Sequence, residues 1–217
     1  MSSRAAELRT YSSKESVVFR IAASKFGGLS NMSSGFPLYI NGAQVWSSEA
    51  LYQACKYPLS PEIQRLIIAE KSPMTAKMKA KHYLVESRAD WERIRIRVMR
   101  WCLRVKLAQN WNRFGALLLS TRQRPIVEES TRDEFWAAKP TKPGELVGVN
   151  ALGRLLMELR EELNGPERER LRIVRPPKLR DFCFLGVPVQ VIKSVDWSAP
   201  SEQSAQGNIE QSWHFQV

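Results

Sequence analysis

Apolar residues in the stretch DWERIRIRVMRWCLRVKLAQN, residues 90–110, return every three or four positions. Trp91, Ile94, Val98, Trp101, Cys102 and Val105 share one side, and Arg93, Arg97, Arg100 and Arg104 share the opposite one. That period predicts a long amphipathic helix capped by Asp90, with the apolar side in the core. A second stripe, Leu152, Leu155, Leu156, Leu159 and Leu163, predicts a helix over 151–163, entered at Asn150 and ended by Gly165. Shorter helical patterns cover 62–71, 73–82 (with Pro73 in its first turn) and 111–119. Residues 47–57, SSEALYQACKY, read as a helix capped by Ser47 or Ser48.

Strand signals are brief. VVFRIA and FPLYI precede Asn41-Gly42, a tight-turn dipeptide leading into AQVW. Residues 182–195, FCFLGVPVQVIKSV, have strand composition around Gly186-Val187-Pro188 and read as a hairpin or edge strand. Residues 121–148 show no clear period and read as a long loop. The pattern predicts an α+β fold, mainly helical. A flexible N-terminus covers 1–16 and one domain covers 17–165, with a few short strands near its beginning. An extension over 166–217 carries a hairpin and ends in a polar, mobile tail around 198–212.

Charge sharpens this picture. Thirty-three Lys and Arg against 22 Asp and Glu give a net charge of +11. Such an excess favours polyanionic partners, nucleic acid first among them. The arginine row of residues 93–104, with Lys77, Lys79 and Lys81, is a candidate phosphate track; a solvated helix face is the plainer reading. No run approaches the roughly 18 apolar residues that span a bilayer, and the N-terminus has no apolar secretory core. Three scattered cysteines, Cys55, Cys102 and Cys183, fit neither a disulfide framework nor zinc knuckles. A reducing cytoplasmic setting without membrane contact is expected. His82 and His214 stand alone, and GxSxG, GxxxxGK[ST] and GxGxxG motifs are absent, so metal, redox and triad hydrolase chemistry are not expected.

Candidate chemistry concentrates in two places. In residues 47–57 the polar positions Glu49, Gln53 and Lys56 are spaced four and three apart, which puts an acid, an amide and an amine on one helix face. In the aperiodic stretch, EESTRDEFW sets Asp133 beside Phe135 and Trp136. There Asp133 can equally be a local cap and Trp136 a core residue. The loop FGGLSNM, 26–32, brings glycines beside Ser30 and Asn31, residues able to read a sugar or base edge.

These pieces combine with others in a fixed order. FGGLSN begins at 26 and SSEALYQACKY at 47; Asp90-Trp91, Met99 and KLAQN from 106 come next, then LLLSTRQRPIVEESTRDEFW and GVNALGRLLMELR. The series resembles the NADAR (YbiA-like) family over residues 26–160. Two departures are Ala137, where the family usually has Gly, and Ala50, where many members have His.

The resemblance implies an N-glycosidase acting on ribosyl-type bonds without a cofactor. It places Glu49, Lys56, Asp133 and Trp136 in the site, with Ser30, Asn31 and Asn150 lining the pocket. Glycosidic cleavage builds positive charge at the anomeric carbon, which a carboxylate stabilises, while a proton donor assists the leaving nitrogen. Glu49 is the first candidate carboxylate. Asp133 is either the partner acid or the holder of the ribose hydroxyls. Lys56 orients Glu49, neutralises phosphate or attacks the opened sugar. Trp46 or Trp136 stacks on a base. Within the family, the basic charge selects removal of ADP-ribose from guanine in DNA, an antitoxin-like repair activity opposite a cognate ADP-ribosyltransferase toxin. Hydrolysis of riboflavin-pathway intermediates, a non-catalytic ADP-ribose-binding module and a pocketless nucleic-acid-binding domain are the alternatives. The glycosidase readings require Glu49 and Asp133 to converge on one cleft.

Overall fold

A computed structural model describes residues 7–20 and 24–194. In chain order its elements are strands β1 (Arg9–Ser12), β2 (Val17–Phe19), β3 (Leu38–Ile40) and β4 (Ala43–Val45). Helices α1 (Ser48–Ala54), α2 (Pro61–Ile68), α3 (Pro73–Lys81), α4 (Trp91–Gln109) and α5 (Trp111–Leu119) follow. Then come β5 (Ile126–Glu128), β6 (Lys139–Pro140), β7 (Glu145–Gly148), α6 (Ala151–Asn164), β8 (Ile173–Val174), β9 (Cys183–Phe184), β10 (Val187–Pro188) and β11 (Ile192–Lys193). The class is α+β and mainly helical, as expected.

Helix α4 is the axis. It packs against α1, α5, α6, β3 and the chain from 168 to 193. Its predicted apolar side is buried at Ile94, Val98, Trp101, Cys102 and Val105, and its last turns are buried all round, Lys106 and Gln109 included. The leucine stripe of α6 is buried at each predicted position. Burying such side chains contributes roughly 1.5–3 kcal/mol apiece. Asp90 does not cap α4; its carboxylate is held at 2.6 and 3.1 Å by the guanidinium of Arg88.

The strands correct several expectations. Residues 9–12, placed in the flexible N-terminus, form β1 and pair antiparallel with β7, Tyr11 opposite Leu146. β2 pairs in parallel with β5, Val17 opposite Ile126. The stretch 121–148 is therefore not one loop: it supplies β5 and β7 as partners for the N-terminal strands, and β6 as the outer neighbour of β7. Asn41 and Gly42 both have positive φ (49° and 80°) and close the β3–β4 hairpin, as that dipeptide predicts. β9 and β10 form the predicted C-terminal hairpin, and β11 pairs with β8. The polar tail, 198–212, lies outside the described residues, as does His214.

Asn150 behaves differently from a helix cap. It is left-handed (φ 51°), fully buried and makes no side-chain cap bond to α6. Instead its amide donates to Ile126 O at 2.8 Å and its Oδ1 accepts from Glu128 N at 3.2 Å. It fastens the start of α6 to β5. Gly153 completes that junction: a Cβ there would lie 2.1 Å from Ile126 O and 2.5 Å from Asn150 Oδ1. Gly153→Ala is therefore expected to cost about 3 kcal/mol, the upper part of the overpacking range. Thermal unfolding of the variant checks this, and an unchanged midpoint would contradict the contact.

Candidate active site

Helix α1 starts where Ser47 accepts a hydrogen bond from Ala50 N at 3.1 Å, with Glu49 in its first turn. Its polar face is buried rather than wet: Glu49 and Gln53 are 6% and 4% exposed. Gln53 donates to Glu49 Oε1 at 2.7 Å. Asn31 donates to Glu49 Oε2 at 3.4 Å and to the Met99 sulfur at 3.2 Å. Asn31 O also accepts from Glu49 N at 3.2 Å, so the 26–32 loop and α1 meet through backbone and side chain. The Oδ1 of Asn31 is buried and has no hydrogen-bond partner among the described residues.

These residues wall a cavity of about 550 Å³ together with Tyr52, Lys56, Lys77, Arg95, Glu128, Asp133 and Trp136. Glu49 and Asp133 thus meet at one space. Ring contacts shape its walls: Tyr52 packs on Trp91 and Trp136, with centroids 4.9 and 5.7 Å apart. Arg95 stacks 3.7 Å from the Phe135 centroid, and Lys56 lies 5.4 Å from that of Trp91. Burial pulls the Lys56 pKa below its ordinary value, opposed by the nearby Glu49.

Asp133 combines both of its sequence readings. Its Oδ1 accepts from Phe135 N and Trp136 N at 2.9 and 2.8 Å, a turn-capping role, while the residue lines the cavity.

A third carboxyl joins Glu49 and Asp133. Glu128 ends β5 at the cavity wall and accepts a hydrogen bond from Ser30 Oγ at 3.2 Å. Burial pushes its pKa up to about 7, helped by the negative charges of Glu49 and Asp133 and opposed by the Ser30 hydroxyl and Lys77. The one local signal for Glu128 is its place at the end of the apolar run Ile126-Val127; beside Glu129 it passes for surface charge.

Other expected site residues lie elsewhere. Trp46 is half-buried under Lys71, 5.4 Å from its ring, and does not line the cavity. Asn150 supports Glu128 from behind, and Ser30 acts through Glu128. Ala137 is buried off the cavity, where its carbonyl accepts from Asn150 N. The arginine row also departs from a phosphate track. Arg97, Arg100 and Arg104 lie on the side of α4 opposite Trp91, Arg95 and Met99 and border a separate groove. Arg100 pairs with Glu158 at 2.8 Å, Arg104 pairs with Glu162 at 2.7 Å, and Arg97 donates to Lys178 O at 3.0 Å. Arg93 is exposed. On α3, Lys77 borders the cavity, Lys79 pairs with Glu70, and Lys81 is exposed one turn beyond Lys77. Among the described residues no cluster of metal-ligating side chains occurs, and no helix is long and apolar enough to cross a membrane.

Comparison with known proteins identifies the family. The family model "NADAR domain" matches residues 14–164. The N-glycosidase YbiA of Escherichia coli (strain K12) is 34% identical over 145 residues, spanning 67% of this chain and 86% of that protein. Riboflavin biosynthesis protein VVA0006 of Vibrio vulnificus is 35% identical over 124 residues, 57% of this chain and 32% of its own length. The NMR structure of the E. coli protein YbiA superposes with a TM-score of 0.59 at 31% identity, over 69% of this chain and 86% of that one. The cavity, the carboxyls around it and the match across residues 14–164 lead to one statement: the chain belongs to the NADAR domain family.

Proposed function

We propose that this protein is an N-glycosidase whose substrate is ADP-ribose joined to guanine in DNA. The observation that carries the glycosidase reading is the meeting of Glu49 from α1 with Glu128 and Asp133 from β5 and the loop after it, around one nucleotide-sized cavity. Glu49, oriented by Gln53 and Asn31, stabilises the positive charge at the anomeric carbon or activates the attacking water. Glu128, its pKa near 7, keeps a proton for the departing nitrogen. Asp133 offers Oδ2 to the sugar hydroxyls while Oδ1 stays on the backbone. Lys56, its pKa lowered by burial, faces the same space as an amine or a charge for the released sugar. Trp136 supplies the aromatic wall for a base.

The DNA reading draws on the net charge of +11 and on Lys77 at the cavity with Lys81 one turn along the same helix. It implies a transferase that writes the mark, a cognate ADP-ribosyltransferase, as the upstream partner. The small-molecule reading, hydrolysis of a riboflavin-pathway intermediate, is favoured by the naming of relatives such as VVA0006 and by the arginine row lying across α4 from the cavity. One panel separates them: guanine-ADP-ribosylated DNA, a ribosylated pyrimidine intermediate and free ADP-ribose, with the released products followed by chromatography. Release of free ADP-ribose from the first substrate, leaving unmodified guanine in the DNA, is expected. Turnover of the pyrimidine compound alone would move the assignment to the second reading, and tight ADP-ribose binding without release would refute both.

A further inference from the structure

The KLAQN segment that closes α4 touches no part of the cavity, yet each of its polar residues reaches the chain that carries Ser30 and Asn31. Gln109 brackets Tyr39, accepting from its N at 2.8 Å and donating to its O at 2.9 Å. Asn110 donates to Pro37 O at 3.2 Å. Lys106 is 0% exposed, and its Nζ donates to Gly28 O at 2.7 Å and Ser30 O at 3.0 Å. The rings of Phe36 and Phe114 flank it, each centroid 4.5 Å from Nζ. No ion pair accompanies it among the described residues.

A buried ammonium without a carboxylate is costly, and two carbonyls and two aromatic faces offset only part of that cost. A leucine would fill the space without it. What leucine cannot do is fix the turn that sets the site: from Ser30 the hydroxyl goes to Glu128, and from Asn31 the amide and carbonyl go to Glu49. We infer that Lys106 is a positioning residue of the glycosidase, holding the 28–31 turn so that Ser30 and Asn31 meet Glu128 and Glu49. The role rests on the glycosidase reading for its effect on turnover, and on geometry alone for its effect on Glu128. Burial lowers the Lys106 pKa to about 7, but a neutral amine still has two N–H bonds for the same two carbonyls. The clamp therefore persists on both sides of that pH.

The test reads the Glu128 carboxyl directly, by carbon-13 NMR titration of glutamate-labelled protein, with Glu128→Gln assigning the resonance. The groups facing that carboxyl are Glu49 from α1, Asp133 from the following loop, Lys77 from α3 and the Ser30 hydroxyl, which favours its charged form. Lys106→Met and Ser30→Ala are each expected to move the Glu128 titration to higher pH, because the donor is displaced or lost. The double variant should move it no further than Ser30→Ala alone. Lys106→Arg, which keeps donors, should restore part of the wild-type titration. Turnover of Lys106→Met should fall about a hundredfold, the scale of a small misplacement of catalytic groups. If Lys106→Met does not fold, Lys106→Leu, equally without a donor, carries the same comparison. An unmoved Glu128 titration in the folded Lys106 variant, or additive shifts in the double variant, would overturn the inference. A moved titration in a protein that cleaves no N-glycoside would leave the clamp standing and refute the enzymatic reading.

Discussion

Glu49→Gln is expected to retain the fold and lose about a hundred- to ten-thousand-fold in turnover, the usual contribution of a single acid–base carboxyl. The substitution is isosteric, and Gln53 and Asn31, which now donate to the two carboxylate oxygens, need only small rotations to bond an amide. What disappears is the negative charge beside the anomeric carbon. Steady-state turnover on whichever substrate the panel identifies, with circular dichroism to check folding, measures the loss. A folded Glu49→Gln protein with wild-type turnover would remove this residue from the chemistry.

Glu128→Gln has an effect nearly as large and a more distinctive pH signature. With a pKa of about 7 in the folded protein, Glu128 is protonated below neutrality and loses its acid form above it. Wild-type kcat should therefore decline as pH rises through about 7. The glutamine variant should be slower by a similar factor and should lack that limb. A limb that survives in Glu128→Gln would assign it to another group. Stability should fall over the same rise in pH. The folded pKa is raised above the unfolded value of 4.5, so the folded state binds more protons between the two. The corresponding stability is complete below about 4.5 and is lost as pH rises through about 7. At pH 8 the wild type carries a buried carboxylate near two others, and Glu128→Gln should melt at a higher temperature there. Equal melting temperatures at pH 8 would show that the burial costs nothing.

The helices were legible because each repeats its apolar period over two or more turns, and the leucines of α6 and the apolar side of α4 are buried where that period puts them. The β3–β4 and β9–β10 hairpins were legible from their turns, but every strand is only two to four residues long and carries no sign of a distant partner. Pairs such as Val17 with Ile126 depend on partners far along the chain, which no local window reports. Within the site, Glu49, Gln53 and Lys56 were legible as one face, and Asp133 and Trp136 as an acid–aromatic cluster. Glu128 carried little local signal of a site role, and Asn150 reads as a cap, because the meaning of both depends on what packs behind them: the same asparagine that suits a cap here bonds β5. The arginine row was ambiguous for a related reason. A period of three and four fits a solvated face, a phosphate track or an interhelical ion-pair ladder. Glu158 and Glu162, four apart on α6 and matching Arg100 and Arg104, decide for the ladder at those two positions.

The segment that follows α6 is built into the interior rather than laid over it. Val174, Phe182, Phe184, Val189 and Ile192 are buried, and Phe182 meets Trp101 edge-on at 5.1 Å. Gln64 and Asn41 tie it back to the domain, Gln64 donating to Cys183 O and Asn41 to Phe184 O and Pro188 O. The family match nonetheless stops at residue 164. An excision at that border would uncover a greasy seam along the central helix, so the smallest self-sufficient unit of this protein is longer than the stretch its kinship defines.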